Sequence, residues 1–260
     1  MRKIPILLIS LIFLLGLTAS ASYISLGTQI NSKIEKDALK VSVETVNKGD
    51  ESAFNVQAEF RVGSKTILAQ KANELPINQT YRAEVSFKPG LKKAGTYPLV
   101  MVMHYTDANQ YPFSALNCQT FVYQKEAITP IFGQLRSTAF SRDGSVQLVM
   151  KNGGDQPITT KTYIVAPREL SVINNSVEIN IPAKGEGGAV FDVKNFSALA
   201  GSTYQVYAVS EAEDADLHYT SIAPGTIRII EANLFASYQF IFIALIVVLL
   251  LVFVALQFRK

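Results

Sequence analysis

Across 260 residues the chain carries 24 Lys and Arg against 21 Asp and Glu, and 48% of its residues are hydrophobic. Four basic residues, Arg2, Lys3, Arg259 and Lys260, sit at the extreme ends, so residues 22–233 hold 20 basic and 21 acidic side chains and lack the positive excess that a nucleic-acid partner demands. A single cysteine, Cys118, excludes an intrachain disulfide, so this stretch must fold on its apolar core alone.

The chain opens with Met1-Arg2-Lys3, then the apolar run Ile4–Leu17, then Ala19-Ser20-Ala21. A basic start, a short apolar stretch and a small-x-small site are the pattern of a secretory signal peptide over residues 1–21, with the mature chain beginning at Ser22. An uncleaved first anchor is the alternative. No cysteine follows the site, which argues against lipoprotein processing.

From residue 22 onward the pattern is β. Val41–Val46, Phe54–Val62, Tyr81–Phe87 and Leu99–Tyr105 alternate with period two. Turn signals separate them, at Asn47-Lys48-Gly49-Asp50, Gly63-Ser64, Pro89-Gly90 and Ala94-Gly95. Short alternating strands at this spacing predict a β-sandwich.

The same order of signals then recurs. Asn47–Asp50 has its counterpart in Asn152–Asp155 at an offset of 105, and Leu75-Pro76 in Ile181-Pro182 at 106. Val85–Phe87 matches Phe191–Val193, also at 106, and Tyr97 matches Tyr204 at 107. Asp107-Ala108 likewise matches Asp214-Ala215 at 107, and five such matches in one order predict two tandem copies. They are placed at 22–125 and 126–231, joined by the short proline-containing Lys125–Pro130. The expected fold class is therefore all-β, with two tandem immunoglobulin-like β-sandwiches and one C-terminal transmembrane helix.

That helix is expected at 234–256, because no polar residue occurs from Phe240 to Leu256. Some twenty apolar residues at about 1.5 Å each cross a hydrocarbon core of about 30 Å. Arg259 and Lys260 follow it and set the orientation, with residues 257–260 a short cytoplasmic tail and the region before it extracytoplasmic. The second sandwich is then expected close to the bilayer.

Candidate chemistry is sparse. His104 and His218 are the two histidines, and neither a GxSxG nor an HExxH motif occurs. The densest polar cluster is Glu211-Ala212-Glu213-Asp214-Ala215-Asp216, in which Glu211, Glu213, Asp214 and Asp216 could offer oxygens to Ca²⁺. The alternative is a solvated acidic hairpin tip. Asn78, Asn174 and Asn195 each head an Asn-x-Ser/Thr sequon and are candidate glycosylation sites. Tyr105, Tyr111 and Phe113 could form a glycan platform or could pack as core. Cys118 lies in a strand-like run and is expected to be a buried, inert thiol.

The strand, Asn-x-Gly-Asp turn and second strand at Val41–Val62 and Val146–Val165, with the Gly-Thr-Tyr-like entries at Gly95–Tyr97 and Gly201–Tyr204, resemble the CARDB family, the cell-adhesion-related domains of bacterial and archaeal surface proteins. The connection Pro167–Asn175 departs from that pattern. The resemblance implies an immunoglobulin-like fold, a cell-surface location and a binding or scaffolding role, and it transfers no catalytic residue. The expectation is a non-enzymatic, single-pass membrane protein whose ectodomain mediates protein–protein interaction, adhesion or scaffolding. It has no cofactor beyond a possible Ca²⁺. The alternative is a carbohydrate- or calcium-binding ectodomain.

Overall fold

The computed structural model describes residues 23–231 and 234–258. The expected signal peptide, the join at 232–233 and Arg259-Lys260 lie outside the described residues. Among the described residues the chain is β until its last element. In order the strands are β1 (Leu26–Glu35), β2 (Ala38–Asn47), β3 (Ala53–Val62), β4 (Lys65–Leu68), β5 (Ala72–Leu75), β6 (Thr80–Phe87), β7 (Ala94–Thr106), β8 (Pro112–Tyr123), β9 (Ile131–Leu135), β10 (Thr138–Phe140), β11 (Asp143–Asn152), β12 (Ile158–Val165), β13 (Leu170–Ile173), β14 (Ser176–Ile181), β15 (Glu186–Asn195), β16 (Thr203–Glu213) and β17 (Leu217–Ile229). One helix, α1 (Leu234–Phe258), follows. The architecture is an all-β, immunoglobulin-like sandwich type.

Two compact units divide the chain. The first takes Met1–Phe60, Thr66–Lys88 and Met103–Phe113; the second takes Arg61–Lys65, Pro89–Val102 and Ser114–Lys260.

In the first unit β1, β2 and β6 form an antiparallel sheet in the order β1-β2-β6. β2 shows why: Leu39, Val41 and Val43 are buried while Lys40, Ser42 and Glu44 are half-exposed, the period-two signature of a strand with one face on a core. β3 supplies the facing layer through Val56, Ala58 and Phe60, all fully buried, and pairs with β5. The hydroxyl of Tyr81 donates to the Gln70 carbonyl at 2.6 Å, so this buried ring satisfies its polar end.

In the second unit one sheet runs β13-β15-β11-β9. The opposing sheet runs β14-β12-β16-β17, with β10 parallel to β17. Between them lies a core that includes Ile131, Leu148, Met150, Ile181, Phe191, Val206 and Ile227. The two sheets repeat the B–E and C–F–G pairings of an immunoglobulin fold. The departure at Pro167–Asn175 has a structural counterpart: β13 leaves β12, crosses to pair with β15, and the chain returns as β14 beside β12. On the far face of β12 and β16, Val165 and Val209 pack with Val100 and Val102 of β7.

The repeated Asn-x-Gly-Asp motif is a folding device in both copies. Asn47 and Asn152 are buried at the ends of β2 and β11. The amide of Asn47 donates to the carbonyls of Glu51 (2.7 Å) and Leu75 (3.1 Å), and its side-chain oxygen accepts the Gly49 N–H. The amide of Asn152 donates to Gln156 (2.7 Å), Ile181 (3.3 Å) and Pro182 (3.1 Å), and its oxygen accepts the Gly154 N–H. One side chain thus pins the turn that leaves the strand to the turn three strands later. Apolar residues there would leave several carbonyls unpaired.

α1 is 25 residues long, about 37 Å at 1.5 Å per residue. Its side chains are described at residues 238, 240–249, 251 and 252. Counting only the described residues, no helix is long and apolar enough to cross a membrane, so the expected span at 234–256 rests on the sequence.

Candidate functional site

The second unit carries an open cleft of about 610 Å³. Strand β12 forms its floor with Lys161, Tyr163 and Val165; Pro98 and Val100 of β7, Leu170 and Val172 of β13, and Arg61 bound it. The volume lies in the range of ligand sites, and the lining mixes apolar surface with a few charges. Tyr163 faces the cleft because β12 alternates: Thr160 and Thr162 turn to the buried side, where Thr162 donates to Ser210 at 2.9 Å.

Glu211, on β16, joins the cleft to a buried polar node. It lines the cleft and ion-pairs His218 of β17 through Oε2 and Nε2 at 3.1 Å. The other ring nitrogen, Nδ1, lies 2.9 Å from the Thr96 carbonyl oxygen. The His218 ring stacks on Tyr97 with centroids 3.9 Å apart and planes within 8°. A neutral imidazole donates from one nitrogen only, whereas here both face acceptors, so the arrangement suits the imidazolium. Burial opposes that charge, but the Glu211 carboxylate and the Thr96 carbonyl outweigh it and raise the His218 pKa above its ordinary value. Burial, reinforced by Glu211, also raises the Tyr163 phenol and lifts the Cys118 thiol to about 12. Cys118 is half-buried rather than fully buried as expected, and its raised pKa favours the protonated thiol at neutral pH.

The four acidic residues singled out in the sequence do not converge. Glu211 is committed to His218, and Glu213 pairs with Lys93 at 2.8 Å. Asp214 caps the hairpin tip, its Oδ1 accepting the N–H groups of Asp216 and Leu217 and its Oδ2 the Tyr219 hydroxyl at 2.6 Å. These donors hold its carboxyl below the usual range, the Tyr219 hydroxyl foremost. Asp216 is exposed. Among the described residues no group of three His, Cys, Asp or Glu is placed to hold a metal ion, and no buried side-chain nitrogen or oxygen lacks a partner. The geometry is that of a solvated hairpin tip.

The sequons differ from one another. Asn78 and Asn174 are exposed at left-handed turn positions, φ 60° and 52°. Asn195 is half-buried and its amide donates to Ser141 (3.0 Å) and Ala198 (3.1 Å), so the nitrogen a glycan would occupy is already bonded. Tyr105 stacks on Phe113 at 5.6 Å and Tyr111 packs against Phe113 at 5.1 Å, all three half-exposed. His104 bonds Glu59 at 2.9 Å in the first unit. The cleft residues Arg61, Lys161 and Tyr163 carry no motif; Arg61 comes from the end of β3 and the other two from β12.

No protein-family model matches the sequence, and no curated protein does. Among solved structures, the native conformation of Escherichia coli alpha-2-macroglobulin is similar over 79% of this chain and 17% of its own, at 10% identity and TM-score 0.31. A crystal structure of a protein of unknown function from Porphyromonas gingivalis W83 matches 78% of this chain and 99% of its own, at 9% identity and TM-score 0.29. A non-cellulosomal cohesin from Archaeoglobus fulgidus matches 43% of this chain and 98% of its own, at 14% identity and TM-score 0.28. This chain spans about a sixth of the macroglobulin's length.

Proposed function

We propose that this is a non-enzymatic, single-pass membrane protein whose tandem immunoglobulin-like ectodomain binds another protein at the cell surface. The observation that carries the membrane reading is α1 itself. Ten consecutive residues, Phe240–Leu249, are exposed and none is polar. At 100° per residue ten positions cover every side of a helix, so no face is turned to water by design, and lipid is the solvent that suits it. The Lys and Arg distribution at the two ends supports a cytoplasmic C-terminus, and the signal-peptide pattern supports export of the sandwich region.

Protein binding is supported by the cleft of the second unit. Its apolar strip (Pro98, Val100, Val172) with rim charges Arg61, Lys161 and Glu211 is the composition of a groove that takes a peptide or loop. The test places a photo-crosslinking amino acid at Val172, with a control at exposed Gln147 on β11, outside the cleft lining, in the full-length protein in native membranes. A protein adduct formed from Val172 and absent from Gln147 is expected. No adduct from Val172, with the protein intact in the membrane, would sink the reading. Glycan binding is a second reading, favoured only by the half-exposed Tyr105–Phe113–Tyr111 group; loss of glycan retention in Tyr111→Ala would support it.

A further inference from the structure

One end of the second unit is apolar where α1 leaves it. Strand β17 finishes at Ile229, and five residues later α1 begins at Leu234. That stretch of chain reaches at most about 18 Å. The loop between β15 and β16 is held at the same end by backbone bonds: Gly201 N–H to Ile229 O at 2.7 Å and Ile229 N–H to Ser202 O at 2.9 Å. The β10–β11 turn joins it through Asn195 N–H to Arg142 O at 2.7 Å and Ile230 N–H to Phe140 O at 3.1 Å. On this rim Phe196 is 81% exposed, Ile230 46% and Leu199 44%. Single exposed apolar residues need no explanation, but three on one rim beside the start of an apolar helix share a geometric cause.

We propose that this rim docks into the interfacial zone of the bilayer, with Phe196 as its deepest side chain. The proposal rests on α1 being a membrane anchor. An α1 of about 37 Å exceeds a hydrocarbon core of about 30 Å, so Leu234 starts near the headgroups. The short connection then keeps Ile230 and its bonded loop within reach of that zone. Phe, Leu and Ile partition favourably there, and the tether makes even a weak contact effectively intramolecular. Exposed Arg142, Arg168, Lys194 and Arg228 lie at this end together with exposed Asp143 and Glu231. A neutral bilayer therefore isolates the apolar contact from any attraction to lipid charge.

The chain has no tryptophan, which makes single-Trp variants clean reporters. Phe196→Trp, Val247→Trp and Phe132→Trp are made in the full-length protein and reconstituted in phosphatidylcholine vesicles. Emission is compared with lipids brominated near the headgroup end or deep in the acyl chain. Phe132, 65% exposed, pairs with Lys151 at the opposite end of β11 and serves as the control. The expected result is loss of Phe196→Trp emission with the shallow bromines, loss of Val247→Trp emission with the deep ones, and an unmoved Phe132→Trp. Quenching of Val247→Trp with none of Phe196→Trp overturns the docking and leaves the anchor standing. Quenching of neither overturns both.

Discussion

His218 is the residue whose surroundings commit it most strongly. Its raised folded-state pKa lies above the unfolded value of 6.5. The sign of the linkage follows: the stability it contributes is fully present below about pH 6.5 and is lost as pH rises through the raised folded-state value. A melting temperature that falls as pH climbs from about 6 through that value is expected, and Glu211→Gln should flatten the fall by removing the charge that holds the proton. A profile identical in the two proteins would contradict the assignment. Asn152 makes a second residue-scale prediction. Asn152→Ala strips the donors from the carbonyls of Gln156, Ile181 and Pro182 and should cost about 2–3 kcal/mol in urea unfolding. Asn152→Asp should be at least as harmful, because it sets a carboxylate against those same carbonyl oxygens. Cys118 should resist thiol reagents in the native protein at pH 8 and react once the chain is unfolded, since burial and Glu211 hold its thiol near 12.

Elements depend on what their turns and contacts allow. Gly95 opens β7 at φ 144°, and a Cβ there would collide with the backbone carbonyl of His218, its partner in the parallel pairing with β17. Gly95→Ala should therefore destabilise by about 2 kcal/mol or more. Gly63 has φ 55° and open space around it, so Gly63→Ala should cost only about 1 kcal/mol and Gly63→Asn less. The β16–β17 hairpin tip is capped internally by Asp214, so calcium and chelator should give superimposable melting curves; a rise with calcium would contradict the capping account. Much of this level was legible beforehand. The period-two runs located β2, β3, β6 and β7, although β7 is buried on both faces from Tyr97 to Met103, and the paired Asn-x-Gly-Asp turns pointed to β11 and β12 because a buried Asn at a strand end has a local signature. β1 was not legible: Leu26–Glu35 interleaves Gly, Thr, Asn and Ser, and its strand state comes from pairing with β2. The transfer of β13 to the opposite sheet was equally hidden, since a four-residue strand carries no address. The cleft and the His218 node join residues more than a hundred positions apart, such as Thr96 and His218, and no spacing rule connects them.

At the scale of the molecule, the two compact units end in a helix whose described side chains are apolar and exposed. That combination is unfavourable in water: each fully exposed large aliphatic side chain forgoes about 1.5–3 kcal/mol of burial. The proposed anchor removes the conflict, and it fixes where the cleft and the Phe196 rim do their work. The decisive measurement is therefore alkaline carbonate extraction of membranes carrying the full-length chain, beside a chain ending at Glu231. The full-length protein should remain with the membrane pellet, and the shortened chain should leave it. Full-length protein released to the supernatant, folded and intact, would contradict the account at its centre.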